Sequence, residues 1–249
     1  MSQGRVIATV CARGGSKGLP RKNVLPFAGL PLIAHSIRQA LACPGIDGVY
    51  VSTDDDEIAQ VALAHGAQLP VRRPAELATD TAGKLPAIEH LVAHLEAAGE
   101  RIATVVDLQP TSPLRTLADI EAGLALRDRA SLVVSVTVPS HNPYYTLVEP
   151  GADGRLQLSK RLPGGDAVAR QSVPAVWGLN GALYVWRRDA LAQAAREGFW
   201  SVDMLPLPMP RERSIDIDDR LDFDMALWLH QRQDTSRRDP APIPPPPHA

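Results

Sequence analysis

The sequence lacks an excess of charge of either sign: 26 Lys and Arg residues stand against 28 Asp and Glu residues, a formal net charge of −2. A dedicated nucleic-acid-binding protein normally carries a strong basic excess, so we expect no nucleic-acid partner. Long apolar runs are also lacking. None reaches the roughly 18 residues that cross a bilayer, and the N-terminus has no hydrophobic signal-peptide core. The sequence thus predicts a cytoplasmic protein without a membrane partner.

Cysteine is scarce, with only Cys11 and Cys43 in the chain. Two cysteines are too few for a disulfide framework or a thiolate zinc site, so a reducing compartment is the simpler assumption. Cys11 follows an apolar run and has no histidine near it in sequence. We therefore interpret it as a small core residue rather than a nucleophile.

What the sequence does contain is a basic, glycine-rich loop after an apolar, β-branched run. Residues 6–10 have the length and composition of a buried strand, and Gly14, Gly15 and Gly18 follow them. The interleaved cations are Arg13, Lys17, Arg21 and Lys22. Because glycines let backbone N–H groups approach phosphate oxygens and cations balance their charge, the loop favours a polyphosphate ligand.

The spacing of this loop matches neither the G-x-x-x-x-G-K-[ST] motif nor the G-x-G-x-x-G motif. A P-loop and a dinucleotide-binding fingerprint are therefore not predicted. From this stretch alone, a flexible and solvated basic loop remains the alternative.

Strand and helix patterns alternate along the chain at intervals of 20–25 residues. This alternation is typical of β-α-β units around a parallel sheet. The chain therefore predicts an α/β fold with a mostly parallel central sheet flanked by helices. The predicted strands are 6–10, 48–52, 68–71, 104–108, 131–138, 182–186 and an edge strand at 205–209, and the predicted helices are 31–42, 55–65, 84–98, 119–129, 189–196 and one ending at 233.

The alternation stops at residue 139, where prolines and short extended pieces around Gly154 are typical of a hairpin. We expect a core of residues 1–138 and 177–233 and a small β-rich insert at 139–176 that packs against a second subunit. Residues 234–249 are rich in proline and lack hydrophobic periodicity, which predicts a disordered tail.

Polar side chains follow two of the predicted strands, at the sheet edge where parallel sheets bind ligands. Asp54 comes directly after the second strand and is the best functional candidate there, although Asp55 and Asp56 also suit the first turn of a helix. Residues 109–115 contain two prolines, which predicts a stiff turn that holds its polar groups in place.

Two carboxylates, Asp216 and Asp218, lie two residues apart in an extended stretch near the C-terminus. They point to one side of the chain, an arrangement that suits Mg²⁺ when phosphate and water supply its other ligands. The alternative is that Asp218 or Asp219 caps the last helix. Capping accounts for one acid and leaves Asp216 unexplained, so we favour the metal interpretation.

Six blocks occur in one order within residues 5 to about 230: ARGGSKGLPRKN, VSTD, RPAELATDTA, LQPTSPLR, LNGALYV and SIDID. Together they resemble the acylneuraminate cytidylyltransferase family, the enzymes that activate sialic acid and related nine-carbon ulosonic acids as CMP-sugars. The resemblance implies a nucleotidyltransferase α/β fold of the GT-A-like, Rossmann-like type. It also implies a homodimer in which the insert of one subunit completes the partner's site.

The resemblance implies roles for individual residues. The catalytic set would be Lys22, Arg13, Asp216 and Asp218, of which the two acids would bind Mg²⁺. The triphosphate of CTP would contact Ala12, Arg13, Gly14, Gly15, Ser16, Lys22 and Asn23, and the cytidine would contact Arg73, Asp80, Thr81 and Lys84. The residues facing the sugar acid would be Gln109, Thr111, Ser112, Arg170, Asn180 and Tyr184, with Arg170 neutralising its carboxylate or the triphosphate.

The implied reaction is in-line attack by the anomeric C2 hydroxyl of a 2-ulosonic acid on the α-phosphorus of CTP, which releases pyrophosphate. Lys22 would stabilise the charge that grows on the α-phosphate and the leaving group. Two alternatives remain: another sugar or alditol nucleotidyltransferase, for example one using GTP, and a catalytically silent nucleotide-binding regulator. Retention of Lys22 with Asp216 and Asp218 argues against the silent regulator.

Three positions depart from the family pattern. Gly178 replaces the arginine of R-x-N-G, Tyr145 replaces a basic residue of H-x-P-x-K, and Gly83 with Lys84 follows D-T-A in place of a small polar residue. The first two changes remove cations near the expected sugar. The substrate therefore stays open among N-acetylneuraminate, a deaminated form, legionaminate, pseudaminate and other acids, as does a second metal position at Asp54 or Asp107.

Overall fold

The structure is a computed structural model that describes residues 4–15, 17–165 and 169–235, with side chains through residue 232. The strands of this part are β1 (Arg5–Cys11), β2 (Pro26–Phe27), β3 (Leu30–Pro31), β4 (Gly48–Ser52), β5 (Ile102–Leu108), β6 (Leu132–Thr137), β7 (Val148–Pro150), β8 (Leu156–Leu158), β9 (Gly178–Arg187) and β10 (Met204–Pro208). Its α-helices are α1 (Leu32–Leu41), α2 (Asp56–Ala64), α3 (Lys84–Ala97), α4 (Leu117–Ala125), α5 (Arg188–Glu197) and α6 (Arg220–Thr235).

Six of these strands form the central sheet, in the order β10-β6-β9-β5-β1-β4. β1 pairs in parallel with β4 and β5, and β10 pairs in parallel with β6. β9 runs antiparallel between β5 and β6. The predicted α/β class with a mostly parallel sheet is therefore confirmed, with one reversed strand inside the described sheet.

Alternate side chains of each strand face two separate helix layers. Ala8 and Val106 pack in a core cluster with residues of α1, α2 and α4. Their neighbours Ile7 and Val105 pack in a second cluster with residues of α3 and α5. Because successive strand residues point to opposite faces, a sheet covered on both faces requires the near-continuous apolar run seen in β1.

The predicted strand at 68–71 is wrong. Gln68 forms an isolated parallel bridge with Tyr50, its N–H donating to the Val49 carbonyl at 2.8 Å and its carbonyl accepting from Val51 at 2.8 Å. The next N–H needed for the ladder would come from residue 70. Pro70 has none, so pairing stops after one residue.

The edge position predicted for residues 205–209 is confirmed, because β10 is the last strand of the sheet. The strand predicted at 182–186 is longer than expected and begins at Gly178. The last helix continues to Thr235, two residues past its predicted end, and residues 236–249 of the predicted tail lie outside the described residues. Among the described residues, no helix combines the length and apolar character that a membrane span requires.

The predicted insert contains the hairpin β7–β8, whose turn includes Gly154 with a φ of 77°. Both strands of the hairpin lie largely exposed. Leu147, Val148 and Leu156 are 43%, 49% and 72% exposed. The insert therefore adds little to the core of its own chain, and its role in dimerisation stays a prediction.

A capping box begins α4 at the rim of the sheet. Thr116 Oγ1 accepts from the Asp119 N–H at 3.4 Å, and Asp119 Oδ2 accepts from the Thr116 N–H at 2.8 Å. Arg213 also donates to both carboxylate oxygens of Asp119, at 3.0 and 2.9 Å. The box thus anchors the segment that leads to the predicted acid pair.

We expect Thr116→Ala to lower the free energy of unfolding by about 1 kcal/mol, because it leaves a helix N–H group without its side-chain acceptor. Urea denaturation followed by circular dichroism measures the change. Thr116→Ser keeps the hydroxyl, so its free energy of unfolding should differ from the wild-type value by no more than about a few tenths of a kcal/mol. Equal midpoints for the Ala and Ser variants would contradict this role for the cap.

Candidate active site

The basic loop after β1 meets the segment before α6 at the carboxyl edge of the sheet. Lys22 Nζ donates to the Ile217 carbonyl at 2.8 Å and to Asp218 Oδ1 at 2.8 Å. Gly18 lies so close to this segment that a Cβ atom on it would overlap the backbone oxygen of Asp218. Two stretches from opposite ends of the sequence are therefore in direct contact, as the acid-pair hypothesis requires.

A cavity of about 400 Å³ opens between the loop and the stiff turn after β5. It brings together eight of the predicted site residues, and Cys11, Lys17, Gly18 and Pro110 complete its wall. The predicted residues that line it are Ala12, Arg13, Lys22, Asn23, Lys84, Gln109, Thr111 and Asp218. This cavity is the candidate active site.

Carboxylates balance the cations of the loop. Arg13 Nη2 lies 3.0 Å from Asp80 Oδ1, and Lys17 Nζ lies 2.5 Å from Asp80 Oδ2. The hydrogen bond from Lys17, with a smaller contribution from Arg13, lowers the pKa of Asp80. An anionic ligand that enters the cavity therefore competes with Asp80 for these two cations.

The acids that follow β4 hold the loop in shape. Asp54 Oδ1 accepts from the Gly14 N–H at 3.1 Å. Asp55 caps α2 by accepting from the Ile58 N–H at 2.9 Å, and it forms an ion pair with Arg21, which adopts a left-handed φ of 57°. The capping alternative is correct for Asp55, and Asp54 fastens the glycine turn instead of facing the cavity.

The acid pair is not used to cap α6. Asp222 Oδ2 accepts from the N–H groups of Asp218 and Asp219 at 3.1 and 3.2 Å, and Asp219 Oδ1 accepts from the Asp222 N–H at 3.0 Å. These contacts cap the helix with Asp219 and Asp222. The side chains of Asp216 and Asp218 take no part in this cap and contact Thr111 and Lys22 instead.

Asp216 lies next to the polar turn after β5. Its Oδ1 accepts from Thr111 Oγ1 at 2.6 Å, and Gln109 Nε2 donates to the same hydroxyl at 3.1 Å. Burial raises the pKa of Asp216 and the nearby charge of Asp218 adds to the rise, while the Thr111 hydrogen bond opposes it. A cation beside the two carboxylates would favour their ionised forms.

The donor set of this pair suits a hard, oxygen-seeking cation such as Mg²⁺, because both groups are carboxylates. The described residues contain no group of three or more His, Cys, Asp or Glu side chains that could hold a metal ion. A magnesium ion held by Asp216 and Asp218 would therefore complete its coordination with phosphate and water oxygens, as the sequence predicts.

Several predicted site residues lie outside the cavity wall. Arg73 is buried and donates to Ser52 Oγ at 3.0 Å and to the Ser52 carbonyl at 2.6 Å. Ser112 is fully buried. Thr81 lies in the exposed loop with its hydroxyl 3.4 Å from that of Thr79. The predicted nucleotide and sugar contacts of these residues stay predictions.

Asn180 connects β9 to the acidic segment. Its amide donates to Ser214 Oγ at 2.9 Å, and its Oδ1 accepts from Ser135 Oγ at 2.5 Å. Arg170 lies on the insert, where it donates to the Ser140 carbonyl. Ser16 lies outside the described residues. The space beside Gly15 is open, since a Cβ atom at this position would meet no other atom within 4 Å.

The sequence placed Lys17 only among the loop cations and left Asp107 open as a second metal position. Lys17 lies in the cavity wall, and Asp107 lies buried beneath it, 2.5 Å from Lys84 Nζ. Burial and the charge of Asp107 raise the pKa of Cys11 to about 11, so this thiol is protonated at neutral pH, as expected for a residue that is not a nucleophile. The sequence does show Asp107 as a charged residue inside an otherwise apolar strand. A buried charge needs a partner, so this position could have been recognised.

Comparisons with known proteins agree with this geometry. Residues 7–126 match the family model described as cytidylyltransferase. The chain is 32% identical over 237 residues to CMP-N,N'-diacetyllegionaminic acid synthase of Campylobacter jejuni, which covers 94% of this chain and 98% of that protein. The chain belongs to the cytidylyltransferase family. Its predicted resemblance to acylneuraminate cytidylyltransferases is confirmed, and it is a nucleotidyltransferase.

The other comparisons extend this result. This cytidylyltransferase is 32% identical over 238 residues to N-acylneuraminate cytidylyltransferase of Escherichia coli, over 94% of its own length and 54% of that protein. A solved structure of CMP-2-keto-3-deoxy-manno-octonic acid synthetase complexed with CTP has the same fold, with a TM-score of 0.68 and 19% identity over 92% of this chain and 99% of that chain.

We expect Gly18→Ala to lower the kcat/KM of the cytidylyltransferase about 100-fold, because a displacement near 1 Å at a reacting centre costs about that much. The added methyl group must separate the loop from Asp218. Pyrophosphate release measures the activity. Gly164→Ala is the matched control, since no atom lies within 4 Å of its Cβ. Wild-type activity of Gly18→Ala would show that the close approach is not needed.

Proposed function

We propose that this cytidylyltransferase transfers CMP from CTP to a nine-carbon 2-ulosonic acid. The anomeric C2 oxygen of the acid bonds to the α-phosphorus of CTP, the bond from that phosphorus to the bridging oxygen breaks, and pyrophosphate leaves. The observation that carries the proposal is the contact of Lys22 with Ile217 and Asp218 in the wall of the cavity. The names of the relatives, which refer to legionaminic and acylneuraminic acids, support the substrate class.

The nucleotide side of the cavity is the basic loop. Its glycines let phosphate oxygens approach the backbone closely, and Arg13 and Lys17 are held at its rim by Asp80. A triphosphate that binds here replaces the Asp80 carboxylate as the partner of both cations. Because Asp80 belongs to an exposed loop, it can move away without disturbing the core.

Asp216 and Asp218 would hold Mg²⁺. When bound, the ion supplies positive charge to the phosphate oxygens. The fit rests on two carboxylates that do not cap α6, one of them with a pKa raised by burial and by its neighbour. Thr111 fixes the orientation of Asp216 through its 2.6 Å hydrogen bond, and Gln109 fixes Thr111 in turn.

Lys22 stabilises the charge that develops during transfer. Its side chain is 16% exposed and its ammonium group is already fixed by two acceptors, so little reorganisation is needed when a phosphate oxygen arrives. Since the protein supplies no covalent step, positioning and charge neutralisation account for most of the rate.

The test is an assay of purified protein with CTP or GTP, Mg²⁺ and a panel of 2-ulosonic acids, with the CMP-sugar identified by mass. We expect CMP-sugar formation and pyrophosphate release with CTP and a nine-carbon acid. Product with GTP alone would identify a different nucleotidyltransferase. CTP binding without product on any acid of the panel would identify a silent nucleotide-binding protein.

In this assay Lys22→Ala should raise the barrier by about 3–4 kcal/mol, the scale of a single electrostatic donor to a developing charge. Arg38→Ala is the control. It removes an exposed cation from α1, outside the cavity wall, and should leave turnover unchanged. Near-normal turnover in a folded Lys22→Ala variant would contradict the assigned role.

We also propose that the enzyme is a homodimer that associates through the insert. The support is the row of exposed apolar side chains on the hairpin, including Val148 and Leu156. An exposed apolar surface of this kind is typical of a protein interface. An insert that reaches a partner would bring Arg170 toward the partner's cavity, where its cation is expected to meet substrate.

We therefore expect light scattering to give twice the 26.8 kDa mass of one chain. Leu156→Asp should give monomers, because it places a charge in the apolar interface. Leu63→Asp is the control: Leu63 lies on α2 and is 53% exposed, and its substitution should leave the dimer intact. A wild-type monomer, or a dimer that survives Leu156→Asp, would contradict the proposed interface.

A further inference from the structure

A buried ion pair lies beneath the cavity and is not used by the mechanism above. Lys84, the first residue of α3, places its Nζ 2.5 Å from Asp107 Oδ2. Asp107 is 1% exposed in the middle of the sheet, and Thr9 Oγ1 donates to its other oxygen at 3.1 Å. Removing one member of such a pair leaves a buried charge uncompensated, so the two residues act together.

The ammonium group of Lys84 has unused donors. Its nitrogen is shielded from solvent and makes no aligned hydrogen bond to the described residues, although the side chain lines the cavity. Burial by itself lowers the pKa of Lys84, but the charge of Asp107, with smaller contributions from Cys11 and Tyr184, raises it overall. Lys84 is therefore protonated, with N–H groups that a ligand oxygen can accept from.

The surroundings of Lys84 separate it from the cations of the phosphate loop. Those cations pair with Asp80, Asp218 or Asp55, whereas Lys84 pairs with Asp107 and lies 5.4 Å from the centre of the Tyr184 ring. Tyr184 stands opposite Asp107 on β9. The strand that carries Asp107 leads directly into Gln109, so Lys84 lies on the side of the cavity expected to hold the sugar acid.

The charge of Asp107 decides which kind of oxygen suits this position. A lone buried ammonium would favour an anion, but here its charge is already balanced. A second carboxylate would leave the site with net negative charge away from water, which is unfavourable. A neutral acceptor such as a hydroxyl or an amide carbonyl satisfies the open N–H without adding charge.

We infer that Lys84 is a specificity-determining residue that donates a hydrogen bond to a neutral oxygen of the sugar acid, a hydroxyl or an acylamino carbonyl, and that Asp107 positions its ammonium group. The inference rests on the proposed function and assigns Lys84 to the acid instead of the cytidine. A site with a buried donor discriminates strongly against analogues without the matching acceptor.

The test compares Lys84→Met, Asp107→Asn and the double variant with wild type. Lys84→Met keeps the length of the side chain and removes the N–H donors. We expect it to raise the KM of the sugar acid about 10- to 100-fold, the effect of losing one hydrogen bond to a charged group, with the KM of CTP unchanged. As a single substitution, Asp107→Asn should raise the KM of the acid. Added to Lys84→Met, it should leave that KM unchanged, because Asp107 acts through Lys84.

Lys17→Met is the matched control: it removes a cavity lysine from the phosphate side and should leave the KM of the acid unchanged. Acids of the panel that lack one hydroxyl or one acylamino group identify the contacted oxygen, since Lys84→Met should lose its penalty with the matching analogue. Thermal unfolding and CTP titration show whether each variant is folded. If Asp107→Asn does not fold, the KM values of Lys84→Met by themselves test the inference.

The inference is overturned if Lys84→Met raises the KM of CTP instead, if it leaves both KM values unchanged, or if the effects of Lys84→Met and Asp107→Asn simply add. Wild-type protein that forms product while Lys84→Met keeps its KM for the acid refutes the inference and leaves the proposed function intact. Wild-type protein that forms no product with any acid refutes both.

Discussion

The site depends on how one residue, Ile217, is anchored. Its side chain is fully buried in a cluster with Phe27, Leu32 and Phe223, and its N–H donates to the Thr111 carbonyl at 2.9 Å. Side chains of an extended segment alternate, so burying Ile217 directs the two flanking acids away from the core. The Lys22–Asp218 ion pair cannot provide this anchoring, since the Asp218 side chain is 75% exposed and such pairs contribute about 0–1 kcal/mol. Apolar burial sets the geometry, and the charges then act within it.

The cavity is close to electrical balance before substrate arrives. Asp218 lies beside Lys22, and Asp80 lies beside Arg13 and Lys17, in a position that a phosphate oxygen can take. Exchange of one anionic partner for another costs less than exposing bare cations to water and then desolvating them. A triphosphate presents more acceptor oxygens at once than a single carboxylate does, and the glycine backbone can donate to them. Selectivity for a triphosphate comes from this difference.

Sequence periodicity predicted most of the fold because both layers of helices bury regular apolar faces. The α1 and α3 patterns, for example, gave helices close to those observed. Local patterns could not reveal the direction of β9, because parallel and antiparallel strands buried on both faces have the same apolar composition. They also missed that one proline, Pro70, would end a strand after a single bridge.

For the site, the sequence predicted the loop, the turn after β5 and Asp218 of the acid pair, which line one cavity, while Asp216 contacts that wall through Thr111. It did not reveal which polar residues near the site also serve the scaffold. Asn180, predicted to face the sugar acid, ties Ser135 to Ser214, and Asp54 fastens Gly14. Short motifs identify which residues matter without saying whether each one contacts ligand or holds another residue in place. The burial of Asp107 shows the same limit, because its partner Lys84 lies on a different element.

The reversed direction of β9 also determines where the insert can act. β6 is followed by the insert and then by β9, and the two strands pair antiparallel with Thr137 opposite Gly178. The insert therefore leaves and rejoins the sheet at one edge, the carboxyl edge that carries the cavity. A parallel β9 would have required the chain to return from the carboxyl edge of the sheet to the amino edge before pairing. The insert would then have bordered both edges. With this topology, the insert can vary at the carboxyl edge of the sheet while the packed core stays as it is.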